Sequence, residues 1–314
     1  MEGLHMKKTE FTIDSRDGIT KLHAVRYEPE GEVKGVLQIV HGMAEYIERY
    51  ERAALWFVEK GFVVTGLDML GHGKSVSEGG TYGYYCEQDP ATVVVRDVHR
   101  LKKTTQELFP GVPYFIWGHS MGSFILRNYM FRYGTGIDGA IVCGTGSQPA
   151  PTVKFGLMLA AVQGLFLGSR HKAQMISNIA FGDPKKIPEG HKSDWLCTDP
   201  AETKKYDEDP LCGFVFTVNG YKTLFTLIDR LNNKKLISGM PKDLPVFIIS
   251  GSEDQVGDKG VGVRYVYDQY KNMGMQDVTM KLYEGYRHEI HNEPIREEVF
   301  TDMLNWMEGV LQGK

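Results

Sequence analysis

Short, continuous apolar runs that alternate with amphipathic stretches constrain this chain more than any other feature of its sequence. Strands buried on both faces of a parallel sheet have this appearance. The runs are bounded by turn residues and lie at 36–40, 62–67, 114–117, 140–142, 246–249 and 278–283. Helical patterns lie between or after them, at 46–60, 90–109, 121–133, 261–270 and 295–311. The alternation predicts an α/β fold with a doubly wound, mostly parallel sheet.

One connection in this pattern is far longer than the others. Residues 145–244 separate two consecutive runs, although a crossover needs only one helix and two short loops. We therefore predict a helical cap inserted at 148–240, between core segments at 1–147 and 241–314. Ligands bind at the C-terminal ends of the strands in open α/β sheets, so the cap is expected to act as a lid. An antiparallel hairpin (11–14 and 22–27) is predicted at the sheet edge.

Composition narrows the class of protein. Of the 314 residues, 42% are hydrophobic and 24% are charged, which is ordinary for a globular domain. The formal net charge of -4 gives no reason to expect a nucleic-acid partner. The four cysteines lack CxxC spacing, so we expect reduced thiols and no metal site.

The apolar segments favour a cytoplasmic protein. The first ten residues contain no apolar stretch typical of a secretory signal, which is the basis for expecting this location. The longest apolar stretch, at 153–167, is interrupted by polar residues and glycines. It is shorter than the ~20 residues that a membrane-spanning helix needs.

The most informative motif is Gly118-His119-Ser120-Met121-Gly122, which follows a predicted strand and precedes a predicted helix. The spacing G-x-S-x-G in this context is typical of a sharp turn that exposes a serine hydroxyl above the sheet. The flanking glycines remove Cβ atoms that would clash in such a turn. The motif predicts Ser120 as a catalytic nucleophile.

A serine hydroxyl needs a base to remove its proton and an acid to orient that base. Asp254 and His288 each follow a later predicted strand, in the chain order Ser, Asp, His. Their loops should therefore open on the same sheet edge as Ser120. Chain order alone also allows Glu253 as the acid and His291 as the base.

An oxyanion hole requires two backbone N–H groups near the nucleophile. Met121, the residue after the nucleophile, is expected to supply one of them. The second should come from the loop after the 36–40 strand, where His41-Gly42-Met43 predicts Met43 as the donor.

With these residues in place, the chain resembles the monoacylglycerol lipase and lysophospholipase group of α/β-hydrolases. The resemblance extends over nearly the whole chain and rests on five segments: HGMAEYIERY (41–50), DMLGHGKS (68–75), GHSMG (118–122), SGSEDQVG (250–257) and YEGYRHEIHNE (283–293). It implies the α/β-hydrolase fold, with Ser120 as nucleophile, Asp254 as acid and His288, rather than His291, as base.

The resemblance also implies a substrate class. Members that cleave monoacylglycerols surround the glycerol group with residues that match Glu45, Arg49 and His291, while Tyr46 stands where the family more often has histidine. A small lipid-like ester is therefore the expected substrate, without a cofactor, and the cap is expected to contact a membrane surface transiently. The alternatives are a general carboxylesterase, a thioesterase or an acyltransferase acting on non-lipid esters, and a catalytically idle binding member of the fold.

Overall fold

The computed structural model describes residues 6–182 and 192–313. Its centre is an eight-stranded sheet with the strand order β1-β2-β4-β3-β5-β6-β7-β8. The strands are β1 (Lys7–Asp14), β2 (Lys21–Glu28), β3 (Gly35–Val40), β4 (Phe62–Leu67), β5 (Tyr114–His119), β6 (Gly139–Cys143), β7 (Val246–Gly251) and β8 (Val278–Tyr283).

The sheet is parallel from β4 through β8, and only the hairpin departs from this direction. β1 pairs antiparallel with β2, and β2 pairs antiparallel with β4. The remaining neighbours, from β4–β3 to β7–β8, are parallel. The predicted fold class and the predicted edge hairpin are confirmed.

Helices cover both faces of the sheet. Consecutive side chains of β5 alternate between two apolar cores: Ile116 packs with the layer of α2 (Pro90–Leu108) and α3 (Met121–Tyr133). Trp117 packs with the layer of α1 (Glu51–Glu59) and α10 (Arg296–Gln312). The helix α9 (Val261–Asn272) lies between β7 and β8 in the chain and packs in the first of these cores.

The predicted helix at 46–60 is wrong at its start. Tyr46 is extended, a 3-10 turn covers Ile47–Tyr50, and the α-helix begins only at Glu51. The Asp68 carboxylate accepts a hydrogen bond from the Ile47 N–H at 2.8 Å. This contact between distant residues fixes the chain where it leaves the loop after β3. A helical sequence pattern gives no sign of such a contact.

The long connection between β6 and β7 is helical in its described part. It contains α4 (Ala150–Leu167), α5 (Gln174–Phe181), α6 (Pro200–Glu208), α7 (Val218–Asn232) and α8 (Lys234–Ile237). The helix α4 packs on α7, and α7 packs on α3 of the core. We call residues 148–240 the cap, and these boundaries stay a prediction.

The helix α4 begins three residues before the apolar stretch at 153–167, and most of its residues are exposed. Its 18 residues have a mean hydropathy of 1.4, and only Val153, Gly156 and Ala160 of them are buried. Among the described residues, it is the one helix long and apolar enough to cross a membrane, by length and composition alone. Here it forms the outer face of the cap.

Candidate active site

Ser120 lies at the turn between β5 and α3, with backbone angles of φ 53° and ψ -120°. Residues other than glycine rarely adopt a positive φ, and such strain is concentrated at functional sites. The glycines of the motif permit the turn, since a Cβ on Gly118 would clash with the Gly122 carbonyl and one on Gly122 with the Val40 carbonyl. The predicted nucleophile therefore has the backbone geometry that the motif implies.

Asp254 and His288 form a buried hydrogen-bonded pair at the same sheet edge. Asp254 follows β7, His288 follows β8, and His288 Nδ1 lies 2.9 Å from Asp254 Oδ1. The Asp254 carboxylate also accepts hydrogen bonds from the Ser250 hydroxyl and the Val256 N–H, both at 2.8 Å. These three contacts fix the carboxylate and, through it, the orientation of the imidazole ring.

Burial and charge shift the pKa values of these two residues in opposite directions. Burial disfavours the charged form of His288, but the Asp254 carboxylate outweighs it and raises the pKa of His288 above 6.5. Burial of Asp254 would raise its pKa, but the charge and hydrogen bond of His288 lower that pKa below 3.8. The pair therefore favours an ionised carboxylate, and the buried Nε2 of His288 has no hydrogen-bond partner among the described residues.

The two alternative residues lie elsewhere. Glu253 is exposed and forms a salt bridge with Lys259 at 2.8 Å. His291 is buried beneath the site, where its ring stacks on Tyr50 with the centroids 4.9 Å apart. Only Asp254 and His288 contact each other, which favours them over Glu253 and His291.

The two predicted oxyanion donors lie beside the nucleophile. Met43 and Met121 line one cavity together with Ser120 and His288. Met121 is the first residue of α3, where a backbone N–H has no acceptor within the helix. A Cβ on Gly42 would approach the Ser120 Cβ to 3.1 Å, so the loop that carries Met43 passes close to the serine.

This cavity has a volume of about 380 Å³ and lies between the core and the cap. Core helix α3 contributes Phe124, and the cap contributes Tyr221, Leu224 and Trp195. The Trp195 ring lies 5.1 Å from the ring of His288. A larger cavity of about 650 Å³ near the β1–β2 turn contains none of the predicted site residues.

The three predicted head-group residues differ in position. Glu45 lines the cavity, whereas Arg49 and His291 are not among its lining residues. Arg49 pairs with Glu45 and also with Glu289, a residue that the motifs did not single out. Only its position next to His288 could have drawn attention to Glu289.

Three buried side chains could be considered as metal ligands. The ligand atoms of His119, Cys143 and His291 lie within 4.8 Å of one another. Both ring nitrogens of His119 already have partners, namely the Tyr50 hydroxyl at 2.9 Å and the His288 carbonyl at 3.2 Å. Burial also raises the pKa of the Cys143 thiol, which disfavours the thiolate that a metal would need. These side chains are better explained as packing beneath the site.

Comparisons with known proteins show the family of the chain. Residues 31–295 match the model of the Hydrolase_4 family, described as serine aminopeptidase, S33. The chain is 26% identical over 283 residues to the monoacylglycerol lipase of Mycolicibacterium smegmatis, and the match covers 90% of each chain. It is 28% identical over 289 residues to the monoglyceride lipase of Rattus norvegicus, with 90% of this chain and 84% of that protein covered.

One of the solved structures is similar over nearly the whole chain. The chain is similar to a thermostable carboxyl esterase from Bacillus coagulans in complex with glycerol, with 30% identity and a TM-score of 0.86. The match covers 96% of this chain and 98% of that one. The family match spans most of the sheet and the loops at its C-terminal edge. The chain therefore belongs to the Hydrolase_4 family of the α/β-hydrolase superfamily, and it is a carboxylic ester hydrolase of the serine hydrolase type that resembles monoacylglycerol lipases.

Proposed function

We propose that this enzyme hydrolyses monoacylglycerols or lysophospholipids through an acyl-enzyme on Ser120. The observation that carries the proposal is the strained Ser120 in a largely apolar cavity whose wall includes His288, which is paired with the buried Asp254. A small lipid-like ester fits such a cavity, since apolar side chains would surround the acyl chain.

In the proposed reaction, His288 Nε2 accepts the proton of Ser120 as its Oγ bonds to the ester carbonyl carbon. The resulting oxyanion accepts hydrogen bonds from the N–H groups of Met43 and Met121. His288 then donates the proton to the leaving alcohol. Water, activated by the same histidine, hydrolyses the acyl-enzyme, and Asp254 stays ionised throughout.

The substrate class is tested with a panel of esters. We expect monoacylglycerols or lysophospholipids to give a higher kcat/KM than short p-nitrophenyl esters or acyl thioesters. A preference for thioesters, or acyl transfer to an added alcohol that outpaces hydrolysis, would replace the proposal by one of these alternative activities. A cytoplasmic location stays a prediction.

We also propose that the cap docks on a lipid surface through α4. The sequence predicts a helix at 153–167 that either lines the acyl entrance or touches a lipid surface through Phe155, Leu159, Val162 and Phe166. Phe155, Val162 and Phe166 are exposed in α4, whereas Leu159 is partly buried against the core. None of the four lines the cavity. The exposed side chains of Phe155, Val162, Leu165 and Phe166 form an apolar face of the kind that marks an interaction surface.

The charged residues in this part of the cap favour a lipid surface as the binding partner of the apolar face. No acidic residue occurs between positions 148 and 182, although the whole chain is net negative. Lys154 and Arg170 are exposed and lie within and just after α4. Basic residues close in the chain to an apolar face, without acidic ones, are compatible with a surface that contains anionic lipids.

Replacing Val162 and Phe166 with serine should weaken binding to vesicles of phosphatidylcholine and phosphatidylglycerol by at least ~10-fold, because each exposed side chain contributes over ~1 kcal/mol when buried in lipid. Hydrolysis of long-chain monoacylglycerols in these vesicles should fall more than hydrolysis of dissolved butyrate esters. The matched control is Ile19→Ser, which changes a side chain that is 89% exposed on the β1–β2 turn. Equal losses on both substrates would contradict lipid docking.

The proposed head-group contact is Glu45. A carboxylate offers about four acceptor sites. On Glu45, Oε1 accepts from the Gly42 N–H and the Tyr50 hydroxyl and also has His119 Nδ1 at 3.5 Å. Among the described residues, Oε2 accepts from Arg49 alone. One site is left for a glycerol hydroxyl at the cavity wall. The corresponding roles of Arg49 and His291 stay predictions, since neither lines the cavity.

Glu45→Ala should lower the ratio of kcat/KM for a monoacylglycerol to that for the ethyl ester of the same fatty acid by ~10-fold. The lost hydrogen bond to a buried hydroxyl is worth about 1–3 kcal/mol. Taking the ratio cancels any loss that both esters share. An unchanged ratio would show that Glu45 does not recognise glycerol.

A further inference from the structure

We propose that Glu289 is a positioning residue for the reaction, because its ion pair with Arg49 fixes the loop of His288 relative to the loop of Met43. We call Glu45, Arg49 and Glu289 the brace. The inference rests on the proposed function, since it assigns to these two loops the base and an oxyanion donor.

The first half of the brace is a bidentate ion pair between distant parts of the chain. Arg49 lies in the 3-10 turn before α1, and Glu289 is the residue after His288. Arg49 Nη1 donates to Glu289 Oε1 and Arg49 Nη2 donates to Glu289 Oε2, each at 2.9 Å. Two parallel hydrogen bonds fix both distance and angle, which a single contact does not do.

The second half connects the same guanidinium to the oxyanion loop. Arg49 Nη1 also donates to Glu45 Oε2. The other oxygen of Glu45 accepts the Gly42 N–H at 2.5 Å and the Tyr50 hydroxyl at 2.8 Å. The residue after Gly42 is Met43, so a continuous series of hydrogen bonds joins the neighbour of the proposed base to the neighbour of the proposed donor.

The brace is buried, and its charges do not balance. Glu45 is 2% exposed, Glu289 is 3% exposed and Arg49 is 12% exposed, so one cation faces two carboxylates. Burial of Glu289 would raise its pKa, but Arg49 holds that pKa below its ordinary value. The ring of Tyr206, from the cap, covers the guanidinium at 4.8 Å.

Such a cluster is a poor source of stability. Buried ion pairs gain little over apolar residues of the same size, because removing charges from water is costly. Their best-attested use is to specify one arrangement of the chain. The arrangement specified here is the separation of two loops that must both contact the same tetrahedral intermediate, and a displacement of about 1 Å in such a site can cost ~100-fold in rate.

The test uses Glu289→Gln and Arg49→Lys, each of which removes the bidentate pair with little change in volume. Active sites are counted with a fluorophosphonate, so that kcat refers to folded, reactive enzyme. We expect kcat to fall at least ~10-fold for both a monoacylglycerol and the matching ethyl ester, with KM changed less than ~3-fold. Both variants break the same bidentate pair, and Arg49→Lys also disturbs the contact of Arg49 with Glu45. The double variant should therefore lose little more than Arg49→Lys alone.

The matched control is Arg52→Lys, because Arg52 forms another Arg–Glu pair, with Glu202, that connects α1 to the cap. Arg52 is 41% exposed and has a partner in the cap rather than in either loop, so kcat should not change. If Glu289→Gln and Arg49→Lys retain the kcat of the wild type per active site, Glu289 has only a structural role and the inference is wrong. A rise in KM for the monoacylglycerol alone would instead assign the pair to glycerol recognition. Wild-type enzyme that takes up no fluorophosphonate and hydrolyses no ester would contradict the proposed function itself.

Discussion

Ser120→Ala should lower kcat by at least ~10⁴-fold, whichever ester is the substrate. A triad nucleophile acts as a unit with its base, and removing it leaves only the rate enhancement due to binding and the oxyanion hole. The substitution deletes one oxygen from a half-buried residue and makes no new contact, so the fold should persist. Turnover of a monoacylglycerol and the thermal unfolding midpoint, measured on the same preparation, separate loss of chemistry from loss of folding.

Labelling by a fluorophosphonate gives an independent measurement of the same residue. The wild-type chain should react stoichiometrically and Ser120→Ala should not react. A wild-type protein that is never labelled would favour the catalytically idle alternative. Near-native turnover by a folded Ser120→Ala protein would overturn the assignment of the nucleophile, and with it the proposed mechanism.

Much of the fold and of the candidate site could be predicted because it depends on local patterns. A strand buried on both faces is apolar at every position, as in Phe62–Leu67, and a helix start is marked by a cap such as Asp89 before Pro90. The motif around Ser120 predicts its own turn, because its glycines permit the close backbone contacts that the turn requires. The loops of Asp254 and His288 could be placed because the C-terminal ends of parallel strands share one edge of the sheet.

Contacts between distant residues could not be predicted in this way. The pair of Arg49 and Glu289 joins residues 240 positions apart, and neither position has a local pattern that identifies its partner. The burial of His291 beneath Trp117 and Tyr50 depends on the packing of three elements. The sequence could not decide which side of α4 is exposed, since apolar residues occur on all sides of that helix and their pattern does not show which side packs on the core.

Replacing Asp254 should produce the second large effect, a change in both the rate of hydrolysis and its pH dependence. Asp254→Asn should lower kcat by ~10⁴-fold, because an asparagine amide can donate to His288 Nδ1 and thereby favour the tautomer whose Nε2 cannot accept the serine proton. The loss should appear on every ester. The Ser250 hydroxyl would still donate to the side-chain carbonyl oxygen of the asparagine. The Val256 N–H, which shares Oδ1 of Asp254 with His288, would face the amide nitrogen and lose its acceptor.

The pH profile shows in which direction the charge of Asp254 shifts the pKa of His288. His288 must be neutral to accept a proton, and Asp254 raises the pKa of His288 above 6.5, so the acidic limb of kcat/KM in the wild type should have its midpoint above that value. In Asp254→Asn the carboxylate charge is gone, while burial, which lowers the pKa of His288, remains. The midpoint should therefore move to lower pH as the plateau falls.

The adjacent residue supplies a matched control for this prediction. Glu253→Gln removes the same charge from the same loop, but Glu253 is exposed and pairs with Lys259 rather than with a histidine. Salt and water screen a charge in that position, so neither the plateau nor the midpoint should move measurably. If Glu253→Gln reproduced the loss and Asp254→Asn did not, the acid would be Glu253. The contact between Asp254 and His288 at 2.9 Å would then serve only to pack the loop.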